Sequence, residues 1–170
     1  SDNYITASAA VGTALATGNK TNNGVIGMDP QGIRVKSILE IAEEHGLSTG
    51  LVSTSSITHA TPASFIAHQP SRGSYEDIAL DFLKTDIDVF IGGGIEHILK
   101  RKDKLNLLDS LIFRGYEVDP LLSTILKSSS SKLAGLTAPV HNPYRLNGRG
   151  DMLPASSQKA IEILNKNPKG

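Results

Sequence analysis

The sequence predicts an α/β protein in which a mainly parallel sheet is flanked by helices, and three observations predict it. Apolar positions recur at helical spacing in several stretches, as at Val35, Ile38, Leu39 and Ala42. Short β-branched and apolar runs such as Ile87-Asp88-Val89-Phe90-Ile91 fall between those stretches. The two kinds of run alternate along the chain, which is the order produced when helices pack against parallel strands.

In order, residues 9–16 are rich in small side chains and predict a short buried helix, although Gly12 costs about 1 kcal/mol in a helix interior. Thr6 and Ser8 are both candidate caps at its start. Turns follow at 18–24 and 29–32, with an extended step at Val25-Ile26 between them. A helix over 35–44 sets Lys36, Glu40, Glu43 and Glu44 away from its apolar face, and Gly46 stops it. A buried strand over 48–54 leads into a loop at 57–62. A short helix then begins near Pro62 and packs through Ala63, Phe65, Ile66 and Ala67.

Residues 75–83 predict a helix and 87–91 a strand that runs into Gly92-Gly93-Gly94. Glycines at a strand end suit a ligand crevice or simply a tight turn. A helix over 105–113 precedes a strand near 116–118, and 121–131 reads as a helix with a serine tail. Residues 137–153 are turn-rich and expected to lie outside the core, and 155–165 recover a helical pattern. Neither an internal repeat nor a linker between two complete domains is visible.

Composition narrows the function. With 170 residues, 39% hydrophobic and 20% charged, the chain suits a folded domain with a substantial core. Its 17 basic and 17 acidic residues balance, so no polycationic field draws it to nucleic acid or to anionic lipid, and an anionic ligand would need a local site. The lack of cysteine excludes disulfides and thiolate zinc sites. No apolar run reaches the roughly 18 residues of a membrane span. The first residues lack the basic and apolar stretches of a signal peptide.

Several residues have the chemistry of a site, each beside an ordinary role. Ser8 places a hydroxyl at a predicted helix start, where free amides and the helix dipole favour an anion. A metal-activated serine there could attack phosphorus, although capping or packing is the commoner use of such a residue. His59 and Thr61, two positions apart, would face one cavity in an extended segment. Thr61 suits Mg²⁺ as an oxygen ligand, and His59 could bind directly or order ligand waters, although a capping hydroxyl and a hydrogen-bonded imidazole are the commoner use of such residues. Arg72 offers a fork for two phosphate oxygens, or serves as a solvent-facing turn residue, and Lys20 has the same two readings. His68 reads as a hydrogen-bonded structural histidine. His45, His97 and His141 have no metal-ligand spacing, and no nucleotide-binding fingerprint is present.

Taken together the motifs are specific. Thr6-Ala7-Ser8-Ala9-Ala10, Ala16-Thr17-Gly18-Asn19-Lys20-Thr21 and Asn23-Gly24-Val25-Ile26-Gly27-Met28-Asp29 resemble the nucleophile region of alkaline phosphatases. Thr58-His59-Ala60-Thr61-Pro62-Ala63, Ser71-Arg72 and Asp88-Val89-Phe90-Ile91-Gly92-Gly93-Gly94 resemble the same family in the same order. The resemblance covers nearly the whole chain and implies that residues 1–170 form a partial alkaline-phosphatase-like catalytic domain. It implies hydrolysis of phosphate monoesters through a phosphoserine at Ser8, with Arg72 holding nonbridging oxygens, inorganic phosphate as product, and Ser8, Thr61 and His59 contributing to the metal site. His59 matches the variant with histidine beside the magnesium and could stand one shell out.

Two Zn²⁺ and one Mg²⁺ belong to the complete family site. A homodimer at full length and a periplasmic or secreted setting go with the same resemblance. Two departures stand out. Ala7 occupies the position where the family commonly has an aspartate that orients the arginine. The family's further acidic and imidazole ligands have no counterpart here, so the chain alone is expected to bind metal incompletely and to be inactive. The alternative is a noncatalytic phosphate-binding or protein-interaction module on the same scaffold.

Overall fold

A computed structural model describes residues 4–170. In chain order its elements are α1 (Ser8–Thr17), α2 (Ile38–Glu44), β1 (Gly50–Ser56), α3 (Ala60–Ala63), α4 (Tyr75–Asp81), β2 (Val89–Gly93) and α5 (Ile95–Leu99). There follow α6 (Leu107–Phe113), β3 (Glu117–Asp119), α7 (Leu122–Ile125), β4 (Leu133–Ala138), a 3-10 turn at Arg145–Asn147 and α8 (Met152–Leu164). They divide into two compact units. The chain up to Gly46 joins Thr58–Asp86 in one, and Leu47–Ile57 joins Ile87–Gly170 in the other. Because each unit is assembled from separated stretches, the sequence has no linker to display.

The second unit contains the sheet, and every pairing in it is parallel, in the order β1-β2-β4-β3. The two inner strands form its centre: Val89, Phe90 and Ile91 of β2 and Leu133, Ala134 and Leu136 of β4 are buried, with Val89 opposite Leu133. Ile125 of α7 and Met152, Ala160 and Ile163 of α8 join Val89, Ile91 and Leu133 in one apolar cluster. Inner strands covered on both faces are continuous in apolarity rather than alternating, as in Leu133-Ala134-Gly135-Leu136.

That strand corrects the sequence reading. The helix expected over 121–131 stops at Ile125, because the serines after it bond to the backbone instead. Ser128 Oγ accepts from Ser130 N, and Ser130 Oγ accepts from Lys132 N. The turn-rich stretch 137–153 also contributes to the core through Ala138 and Met152. Helix α5 was not foreseen; it opens directly after Gly94, whose φ of 102° turns the chain out of β2. Of the two roles open to the glycine run, Gly94 takes the turn, and Gly93 adds a close approach that neither role named. A Cβ on Gly93 would stand 2.2 Å from the Val140 carbonyl oxygen, and Gly94 N donates to Ala138 O at 2.9 Å.

In the first unit, α1 packs on α3 through small residues. A Cβ on Gly12 would lie 2.7 Å from Ser64 Oγ, so the glycine that weakens the helix is what lets the two segments meet. The N-cap of α1 is Ala7, without a side-chain cap bond. Neither Thr6 nor Ser8 caps the helix, and Ser8 is its first residue.

Helix α2 starts at Ile38 rather than Val35, because Ser37 and Glu40 form a reciprocal capping box that fixes the start. The box turns Glu40 inward to 8% exposure, against the expectation that it lies off the buried face. Helix α3 begins at Ala60 and takes Pro62 within its first turn, where a missing N–H costs nothing.

Candidate active site

The residues singled out as a site, Ser8, His59, Thr61 and Arg72, all fall in the first unit. Residues 23–26 bring two of them together. Asn23 Oδ1 accepts from Ala7 N at 2.8 Å and Asn23 Nδ2 donates to Ile5 O at 2.8 Å, which fixes the approach to α1. Ile26 and Gln69 exchange both backbone hydrogen bonds at 2.9 Å, and Arg72 N donates to Gly24 O at 2.7 Å. The same short loop therefore holds the residue before Ser8 by a side chain and the backbone of Arg72 by a carbonyl.

The geometry that results joins three side chains. Arg72 Nη1 donates to Ser8 Oγ at 2.7 Å, and Arg72 Nη2 donates to His59 Nε2 at 3.0 Å. An imidazole that accepts at Nε2 carries its proton on Nδ1. His59 is the extended N-cap residue of α3 and is half-buried. Both partners of the fork are neutral, and among the described residues the guanidinium has no carboxylate against it. Ser8 is exposed at the amino end of a ten-residue helix whose first backbone bond runs from Val11 N to Ala7 O. The amides of Ser8, Ala9 and Ala10 thus precede the helix's own bonding pattern, and with the cationic fork they favour a tetrahedral anion at the serine.

Thr61 is in a different situation. It lies in α3 and not in an extended segment, so the alternation that would have turned it and His59 toward one cavity does not operate. Thr61 is exposed, and its hydroxyl makes no hydrogen bond to the described residues. Lys20 lines an open cavity of about 490 Å³ with Thr6, Ala10, Val11, Ala14, Leu15 and Thr21, whose walls include neither Ser8 nor Arg72.

A network between α2 and the stretch before Arg72 escaped the sequence reading. Glu40 Oε2 accepts from Ser37 N at 2.8 Å, and Glu40 also pairs with Arg34 and with His68 Nε2, the latter at 3.1 Å. His68 Nδ1 faces Gly27 O at 2.6 Å, which makes His68 the hydrogen-bonded structural histidine expected. Burial pushes the Glu40 carboxyl up, but the Ser37 amide, Arg34 and His68 together outweigh it and hold its pKa below the usual range. Nearby, Asp81 accepts from His68 N, Gln69 Nε2 and Lys84 Nζ at 3.1, 2.8 and 2.7 Å. The signal for Glu40 was present, since Ser37-Ile38-Leu39-Glu40 is a capping-box pattern. Asn23 had only its place in an Asn-Asn-Gly turn.

The donor set does not by itself fit the metals the resemblance implies. Among the described residues no group of three or more His, Cys, Asp or Glu side chains could hold a metal ion. His59 Nε2 already accepts from the Arg72 guanidinium.

One unit carries a parallel sheet and the other an arginine–serine pair at a helix start, and comparison with known proteins gives the family of the chain. The family profile described as "Alkaline phosphatase" matches residues 1–170. Alkaline phosphatase 4 of Bacillus subtilis is 41% identical over 177 residues, covering 99% of this chain and 38% of that protein. Among solved structures, alkaline phosphatase from the Antarctic bacterium TAB5 is 41% identical with a TM-score of 0.93, over 98% of this chain and 50% of that one. The Thermus thermophilus enzyme is 33% identical with a TM-score of 0.93, over 99% and 37%. A TAB5 variant is described with Mg bound in its M3 site.

The chain belongs to the alkaline phosphatase family. It spans 38% to 50% of the length of the first two of these relatives.

Proposed function

We propose that this chain carries the nucleophile and phosphate-holding part of a phosphate monoester hydrolase. The observation behind the reading is the Arg72 guanidinium, held on Ser8 Oγ at the start of α1 with no carboxylate among the described residues to neutralise it. A phosphate group entering there would exchange the fork's contacts with Ser8 and His59 for two nonbridging oxygens. It would also meet the first amides of α1.

Ser8 Oγ then attacks phosphorus in line. The oxygen–phosphorus bond forms as the ester bond opposite it breaks, the serine proton passes to solvent, and the leaving oxygen takes a proton from solvent. Water repeats the displacement on the phosphoserine and releases inorganic phosphate. His59 holds the arginine at its second nitrogen, the task left open by Ala7. Thr61 and His59 become candidates for a Mg²⁺ site, and Ser8 for a Zn²⁺ site, only when further acidic and imidazole ligands are supplied. No step is assigned to a metal on the described residues. The chain alone is accordingly inactive.

The test is a chimera in which these 170 residues replace the matched segment of the Bacillus relative. With Zn²⁺ and Mg²⁺ supplied, an aryl phosphate should be hydrolysed, and acid quenching should trap phosphate on Ser8 by mass spectrometry. Both should vanish in Ser8→Ala, and the chain by itself should not turn over. Phosphate binding without phosphoserine or turnover in the chimera would replace this reading with that of a noncatalytic binding module.

A further inference from the structure

Ser8 and Arg72 meet across 64 residues of sequence. Among the described residues the guanidinium is held by neutral side chains, Ser8 and His59, and Ala7 offers it no carboxylate. Neutral partners hold a guanidinium less firmly than a carboxylate does. The placement of serine against arginine therefore falls to the main chain beside each of them, and the loop at 23–27 reaches both.

That loop is fastened to α1 at two levels. Ahead of the helix, Asn23 Oδ1 accepts from Ala7 N and Asn23 Nδ2 donates to Ile5 O, both at 2.8 Å. Within the helix, the fully buried Thr13 hydroxyl accepts from Gly27 N at 3.0 Å and donates to Val25 O at 3.4 Å. The loop is thus carried by α1. On the arginine's side, Gly24 O accepts from Arg72 N at 2.7 Å. Gly24 has a φ of 85°, so the turn that presents this carbonyl favours glycine. Adjacent residues of one loop thereby hold the peptide before Ser8, through a side chain, and the backbone of Arg72, through a carbonyl.

We infer that Asn23 is a positioning residue for Ser8, aligning its hydroxyl with a phosphate held by Arg72, while Gly24 registers the arginine. The kinetic half of the inference rests on the phosphoserine reading; the geometric half stands without it. Removing the Asn23 side chain frees the entry to α1 but leaves Arg72 on Gly24. Ser8 Oγ then loses its line of attack, whereas the arginine still takes phosphate. A misplacement of about 1 Å is enough to cost about a hundredfold in rate.

In the chimera, Asn23→Ala should slow phosphoserine formation at least about tenfold and leave inhibition by inorganic phosphate within about threefold. Ser37→Ala, which opens the capping box of α2 in the same unit, controls for lost stability and should change neither quantity. An unchanged rate in Asn23→Ala would overturn the inference. Equal losses of rate and phosphate affinity would overturn it too, since general loosening of the site produces both. If the unsubstituted chimera forms no phosphoserine, the reading of the site fails, and the geometric half is decided by NMR on the isolated chain. There Asn23→Ala should shift the Ser8 amide and abolish the contact between the Arg72 side chain and Ser8, and Ser37→Ala should do neither. A contact that survives Asn23→Ala would sink the inference whatever the chimera does.

Discussion

The sheet unit is held by apolar side chains on regular strands: Val89, Ile91, Leu133 and Ile163 close one cluster across two strands and a helix. Among the described residues, the β structure of the unit that carries Ser8 is limited to isolated bridges at Ile26–Gln69 and Met28–Arg34, and its loops are joined by polar side chains acting as cross-links. Asn23 ties the α1 entry, Glu40 ties Ser37, Arg34 and His68, and Asp81 ties His68, Gln69 and Lys84. The arginine that bonds to Ser8 is thus mounted on directional bonds, whereas the sheet relies on non-directional burial. The two units should accordingly fail under different perturbations.

The largest effect is expected in the sheet. Ile91→Ala removes a fully buried side chain at the centre of the cluster and should cost about 2–5 kcal/mol, read as a lower urea midpoint with an unchanged slope. A loss below about 1 kcal/mol would mean that the cluster is not close-packed.

Next comes the polar unit. Glu40→Gln leaves Arg34 and His68 without their carboxylate and should cost about 2–4 kcal/mol at neutral pH. The folded pKa of Glu40 is depressed, so its contribution is present above the usual glutamate range and is lost as pH falls through the folded value. The gap between wild type and Glu40→Gln should therefore close on the acid side of that range. The Ile91→Ala deficit should not follow that titration. Urea melts of both variants between neutral and acid pH make the comparison.

These contrasts also explain what the sequence disclosed. Periodicity located α2, α4, α6, α8, β2 and β3 because their apolar spacing is local, and ordered motifs picked out Ser8 and Arg72 as candidates. It missed β4, since Leu133-Ala134-Gly135-Leu136 follows a serine run that mimics a helix tail, and a short apolar run has no period to read. Glu40 was misjudged because helical-face counting ignores capping, which rotated a carboxylate inward. The Ser8–Arg72–His59 contacts depend on Asn23 and Gly24, whose bonds reach 16 and 48 residues away in sequence and leave no local pattern.

Smaller effects bear on the mounting of the site. Asn23→Ala should cost about 1 kcal/mol and, by freeing the segment before Ser8, speed amide exchange at Ala7. Ala7→Ser should raise stability by about 0.5–1 kcal/mol, since the N-cap of α1 lacks a side-chain bond that serine can make. A neutral result in thermal melts would mean that the helix start is already satisfied.

The most direct test of the account is a titration of the ¹⁵N-labelled chain with inorganic phosphate, followed by NMR at the amides of Ser8, Ala9 and Ala10 and at the Arg72 side chain. Saturable shifts at all of these, lost in Arg72→Ala and weakened by added salt, are the expected result. Shifts that persist unchanged in Arg72→Ala, or that appear at Lys20 and leave Ser8 unmoved, would contradict a phosphate site built on Ser8 and Arg72.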